Sequence, residues 1–191
     1  NIREVLKLVG TKWNVEAFHP GIGAGGYCIP LSSQYVLKEI KNKSKLTLLR
    51  ETIKTDTNIN ILIAKSLIKK GYKKIGVLGL SYKGNLKVDI LSPVIPFVKH
   101  LKSKGINVSL FDPYYSNKEI GKIAGVKSFK YPQGLSKFDC IVVSIDHKEF
   151  KTNIKNITKY LTNCKYILDN MKVWEKINFP KHIAYKISGE K

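Results

Sequence analysis

Apolar positions follow one rhythm in the first part of this chain and another in the rest, with the change near residue 71. Ile2, Val5, Leu6 and Val9 recur at helical spacing and stop at Gly10, which predicts the end of an amphipathic helix. The period is lost over residues 11–34, where Gly21, Gly23, Gly25 and Gly26 crowd into six positions. A short helix is expected over 33–41. Leu46, Leu49, Ile53, Ile59, Leu62, Ile63, Leu67 and Ile68 then place one long helix over 45–70, with Gly71 as its natural stop.

From Lys74 the pattern becomes short, nearly uncharged runs. Ile75–Leu80 reads as a strand buried on both faces, as parallel strands are. A helix follows Pro93 to about Ser103, with Val94, Phe97, Val98 and Leu101 on one face and Gly105 as its stop. Asn107–Phe111 is the next strand, ending at Asp112-Pro113, so strand, helix and strand form a βαβ unit. Ile141–Ile145 is a strong buried strand, Tyr166–Asp169 a weaker one and Val126–Phe129 a short one. The chain therefore divides into a helical segment with a glycine loop, residues 1–70, and an α/β domain with a doubly wound parallel sheet, residues 71–191.

Charge changes this picture less than its size suggests. Lys plus Arg number 34 against 14 Asp plus Glu, a net charge of +20. That invites a nucleic-acid reading. The lysines are scattered, however, with no run longer than two, and the only arginines are Arg3 and Arg50. A solvated lysine surface fits this pattern better than a nucleic-acid footprint. No apolar run approaches the ~20 residues of a membrane span, so no membrane insertion is expected. Three cysteines without CxxC spacing suggest a reducing, cytoplasmic setting. His19, His100, His147 and His182 form no metal-ligand pattern, and no metal is expected. No signal peptide is visible, and a chain opening inside an amphipathic helix is expected to be a piece of a longer one.

Two loops carry candidate chemistry. Gly21–Gly26 satisfies G-x-G-x-x-G, but the dinucleotide fingerprint must follow a strand and open a helix, whereas His19-Pro20 precedes this loop. The better anion site is Gly79–Gly84, directly after the first strand, where Lys83 can neutralise a phosphate. A tight turn with a solvated lysine is the plainer alternative. Cys28 follows two glycines in a loop, which could give a nucleophile access and donor N–H groups; a lone Cys is more commonly a small buried hydrophobe, and both readings stay open. Cys140 and Cys164 read as structural.

Taken together, these residues resemble the UDP-glucose/GDP-mannose dehydrogenase family, closest to its UDP-N-acetyl-hexosamine 6-dehydrogenase branch. Phe18–Pro30 is similar to the branch's Pro-Gly-x-Gly-x-Gly-Gly-His-Cys-Ile-Pro loop. Ile75–Gly84, Ser92-Pro93 and Asp112-Pro113 resemble the elements that open its UDP-binding domain, in family order. The resemblance implies the tail of a central helical dimerisation domain (1–70) and a Rossmann-like UDP-binding domain (71–191). The amino-terminal NAD-binding domain would lie outside the chain, with cofactor-binding residues not identified here, and the chain alone would be inactive. It further implies oxidation of a UDP-sugar C6 alcohol to a uronic acid with two NAD. Cys28 would form thiohemiacetal and thioester intermediates. Gly23, Gly25 and Gly26 would pack against the sugar, Tyr82 and Lys83 would bind near the uridine diphosphate, and the 45–70 helix would form a homodimer. The chain departs from the family at Ser32, where an Asp normally handles the hydrolytic water, and at Ser33, Tyr27 and Ile90, the last replacing an Arg. A non-catalytic relative that binds nucleotide sugars is therefore the competing reading, and a basic nucleic-acid-binding α/β domain a third.

Overall fold

The computed structural model describes residues 1–41, 43–152 and 154–190. The chain opens with α1 (Ile2–Val9), α2 (Cys28–Glu39) and α3 (Thr47–Lys69), the last preceded by a 3-10 turn at Lys43–Leu46. It continues as β1 (Lys74–Leu78), α4 (Val94–Ser103), β2 (Asn107–Phe111), α5 (Asn117–Ala124) and β3 (Lys127–Ser128). β4 (Cys140–Val143), α6 (Lys148–Lys151), β5 (Tyr166–Asp169) and β6 (Ala184–Ile187) complete it. The six strands form one sheet in the order β3-β2-β1-β4-β5-β6, and every neighbouring pair is parallel. The expected doubly wound α/β sheet is thus the observed fold.

Alternating side chains of β1 and β4 feed two cores, which is why both strands read as continuous apolar runs. Ile75, Val77, Cys140 and Val142 face α4 and α5, where Phe97, Val98, Leu101 and Ile120 are buried. Ala64 and Leu67 of α3 join the same core, so the carboxy-terminal half of the long helix belongs to the sheet's packing. Leu78, Ile141, Val143 and Ile167 face the opposite way, onto Phe138, Phe150, Leu161 and Trp174. Gly76 lets the Phe138 ring close on β1, since a Cβ there would come within 2.9 Å of the ring.

Two boundaries differ from the sequence reading. The second helix starts at Cys28, not at residue 33, because Pro30 lies in its first turn, where a missing N–H breaks no intrahelical bond. The strand expected over Val126–Phe129 pairs only at Lys127 and Ser128. Three elements, α5, the short α6 and β6, have no counterpart in the sequence reading. Strand β6 escaped because Lys186 and exposed Ala184 interrupt its apolar pattern. Helix α5 is announced by a Ser116/Glu119 capping box, in which Ser116 Oγ accepts from the Glu119 N–H and Glu119 accepts from Ser116 N at 2.8 Å. Lys87 and Ser116, which bond to the Glu119 carboxylate, hold it down to about 2.

Candidate functional site

In an open parallel sheet, ligands collect outside the carboxyl ends of the strands, where strand order reverses. Here that point lies between β1 and β4, neighbours whose chains wind outward to opposite sides. The loop leaving β1, residues 79–92, is fixed there by buried groups. Asp112, fully buried at the end of β2, accepts from the N–H groups of Leu80 (2.7 Å) and Ser81 (3.1 Å) with one oxygen, and from Tyr114 N (2.9 Å) with the other. Ser92 Oγ donates to Leu80 O at 2.6 Å, and Ser81 Oγ to Leu86 O at 2.7 Å. Burial raises the Asp112 carboxyl's affinity for a proton, but hydrogen bonds from His147, Leu80 and Tyr114 outweigh it and leave the group below its ordinary value.

The glycine loop lies against this frame. Ala24 N donates to Asp56 Oδ1 of α3 at 2.8 Å, and Gly26 N donates to Ile90 O at 2.9 Å. The absent side chains of Gly25 and Gly26 make room for Tyr82: a Cβ on Gly25 would overlap that side chain, and one on Gly26 would sit 2.9 Å from Cζ. Gly26 also has φ +86°, which side chains other than glycine's adopt at a cost. The substitution at Ile90 leaves the Gly26 contact in place because that contact is made by backbone.

The two loops line one open cleft of about 1240 Å³. Gly23, Gly25, Gly26 and Cys28 border it from one side, Tyr82 and Lys83 from the other. All six sequence-predicted residues therefore meet at one cleft, although 54 residues separate Cys28 from Tyr82 in sequence (82 − 28). Cys28 is exposed as the first residue of α2. Cys140 and Cys164 are buried free thiols: burial pushes Cys140 well up and Cys164 to about 12, so neither is a nucleophile near neutral pH. Lys83 is exposed on the cleft's rim and joins none of the ion pairs among the described residues. Gly84 packs against Asp146, which is paired with Lys151 at 2.8 Å.

Sequence reasoning missed His147. It is fully buried, with Nε2 3.0 Å from Asp112 Oδ2 and Nδ1 accepting from Asn85 N at 2.8 Å. A signal existed: His147 and Asp112 both lie just past strands that flank β1. Among the described residues no three His, Cys, Asp or Glu side chains gather as metal ligands, and no helix is long and apolar enough to cross a membrane.

A doubly wound parallel sheet with a cleft at its switch point, walled by a glycine-cysteine loop, defines a nucleotide-binding α/β protein. More specifically, the chain belongs to the UDP-glucose/GDP-mannose dehydrogenase family: its UDP binding domain matches residues 76–176 and its central domain residues 1–58. A UDP-N-acetyl-D-mannosamine dehydrogenase of Methanocaldococcus jannaschii is 28% identical over 197 aligned positions, which take in 96% of this chain and 43% of that protein. Protein CapL of Staphylococcus aureus is 29% identical over 177 positions, 87% of this chain and 41% of CapL. The solved UDP-D-ManNAc dehydrogenase of Pyrococcus horikoshii superposes with a TM-score of 0.76 at 26% identity, covering 98% of this chain and 44% of its own. The chain thus spans less than half the length of these relatives.

Proposed function

We propose that this chain is the carboxy-terminal part of an NAD-dependent dehydrogenase that oxidises the C6 alcohol of a UDP-sugar to the carboxylate. The observation that carries this reading is the convergence of Cys28 with Tyr82 and Lys83 on one cleft, from loops far apart in sequence. Lys83 offers a cation for the diphosphate, and the glycine loop offers a wall that a sugar can approach closely. Two of the relatives named above, from Methanocaldococcus jannaschii and Pyrococcus horikoshii, are named as UDP-N-acetyl-D-mannosamine dehydrogenases.

The cofactor's pyrophosphate is assigned to residues outside the chain, because no strand precedes Gly21–Gly26 and Tyr82 fills the space beside Gly25 and Gly26. NAD, held by residues outside the chain, would supply the hydride acceptor, one NAD for each of the two oxidations. Once C6 is an aldehyde, the Cys28 thiolate adds to its carbonyl carbon and the oxygen takes a proton, giving a thiohemiacetal. Loss of hydride and of the hydroxyl proton leaves a thioester. Water adds to that carbon and expels the thiolate, so Cys28 is regenerated and the carboxylate leaves.

We divide the chain into residues 1–70, the end of the central domain, and 71–191, the UDP-binding domain. Exposed Leu48 and Leu62 on α3 support pairing of two copies through that helix. Three free cysteines fit a reducing, cytoplasmic setting. Ser32, exposed in the first turns of α2, favours a second reading: a relative that binds nucleotide sugars without turnover.

The test joins the chain to an amino-terminal NAD-binding domain. Two NADH per UDP-sugar support the first reading. UDP-sugar binding without NADH supports the second. Binding of DNA or RNA that weakens steeply with salt, with no UDP affinity, overturns both.

A further inference from the structure

The 79–92 loop presents Tyr82 and Lys83 to the cleft, and Tyr82 N donates to Val88 O at 3.0 Å across the base of the loop. Buried groups fix the stretch before Lys83, where Asp112 holds Leu80 and Ser81. After Lys83 the chain turns at Asn85, which has φ +61°. That backbone is uncommon outside glycine but most readily adopted by Asn. Besides the Ser81 Oγ–Leu86 O bond inside the loop, two contacts reach the turn from the segment that leaves β4: His147 Nδ1 accepts from Asn85 N at 2.8 Å, and Asn85 Oδ1 accepts from Lys148 N at 2.7 Å.

His147 is therefore occupied at both nitrogens. Nδ1 must carry a lone pair to accept from Asn85, so the proton sits on Nε2, which donates to Asp112 Oδ2. The ring packs between Tyr114, with centroids 5.0 Å apart, and the edge of Phe150, at 5.4 Å. It is fully buried and never reaches the cleft.

We infer that His147 is a positioning residue for the nucleotide: its imidazole ties the Asn85 turn to the Asp112 carboxylate and so sets where Lys83 meets an anionic ligand. This rests on the reading of the cleft as a nucleotide-diphosphate site. A loop whose turn is already fixed loses less conformational freedom when the ligand arrives, and affinity gains accordingly.

Two substitutions separate the ring's two ends. In His147→Gln the terminal amide reaches the place of Nε2 and keeps donating to Asp112, while the Asn85 N–H loses its acceptor. In His147→Asn the amide oxygen lies near the place of Nδ1 and keeps Asn85, while Asp112 loses a donor. UDP binding is measured by calorimetry on this chain, alongside Tm and amide exchange at Asn85. His147→Gln is expected to keep a near-native Tm, exchange faster at Asn85 and bind UDP about tenfold more weakly, the cost of one hydrogen bond to a neutral group. His147→Asn is expected to melt earlier, while its folded form binds UDP within about threefold of the parent.

A folded His147→Gln that binds UDP like the parent overturns the inference, as does a loss of affinity that follows Tm in both variants. Should His147→Gln not fold, His147→Asn decides: near-parental affinity supports the inference and a tenfold loss overturns it. If the unsubstituted chain binds no UDP, the nucleotide reading itself fails and takes the inference with it.

Discussion

Trp13 and Trp174 stand for two halves that solve the burial problem differently. Trp13 is 93% exposed, while Trp174 is fully buried with its Nε1 donating to Phe150 O at 3.0 Å. The same division runs through the molecule. Before residue 63, large apolar side chains such as Leu8, Phe18, Ile29, Tyr35 and Leu48 lie exposed, and Ile22 is a rare buried one. Beyond residue 71, exposed apolar residues are few: Leu86, Ile90 and Leu91 on the loop that borders the cleft, and Tyr114. The sheet closes two cores, one of them completed by Ile22 and by Ala64 and Leu67 of α3. The helices before it leave an apolar surface of the kind that marks an interaction face. Most of the buried core therefore lies in the second region, and Cys28, with the chemistry proposed for it, in the first.

The strongest test of that division is at Cys28. In the enzyme completed with an NAD-binding domain, Cys28→Ala should lower kcat by more than about a thousandfold, as loss of a nucleophile does, while UDP affinity stays unchanged. A parallel loss of UDP binding would mean that the two regions cannot be separated. Next come the tryptophans. Trp174→Ala should cost about 3–5 kcal/mol in urea unfolding, and Trp13→Ala within about 0.5 kcal/mol. Comparable losses would show that the helical segment shares the sheet's cooperative core.

Acid should act through the second region. Because the folded state holds Asp112 below its ordinary carboxylate value, its contribution to stability is present above that value. It is lost as pH falls through the lowered one. Urea midpoints measured from pH 6 to pH 2 should therefore fall on the acid side below pH about 4. Asp112→Asn should flatten that limb. The smallest expected contrast lies within the glycine loop. Gly26→Ala should destabilise by about 1–2 kcal/mol, since it meets both Tyr82 and a positive φ. Gly21→Ala, facing open space, should be nearly neutral by thermal melting.

How much of this was legible depends on whether the signal is local. Asn107–Phe111, Tyr166–Asp169 and the helix from Val94 to Ser103 were readable to the residue, because a glycine, proline or charge bounds each apolar run. The candidate site was readable as separate motifs, Cys28 with its glycines and Tyr82-Lys83, but not as one cleft. The packing of Gly25 and Gly26 on Tyr82 and the Gly26 N–Ile90 O bond join them, and no spacing rule encodes those contacts. His147 was dismissed for lacking a metal pattern; its partner Asp112 is 35 residues away and is brought to it by the strand order. Pro30 misled in the other direction, since a proline that stops a helix interior is harmless in its first turn.

Arg3 carries a consequence for the order of assembly. Buried at 5% exposure, its Nε donates to Ser188 O and its Nη2 to Asn170 O, both at 2.5 Å, with Pro20 O at 3.4 Å. Ser188 follows β6, the outermost strand on that side, so the seat for Arg3 exists only once the far edge of the sheet is built. A contact that spans 185 residues is slow to find and depends on everything between. The first helix and the start of the glycine loop are thus the last to lock and the first to open. Partial opening there would release the loop bearing Cys28 while the sheet, and the turn bearing Lys83 on it, stayed folded.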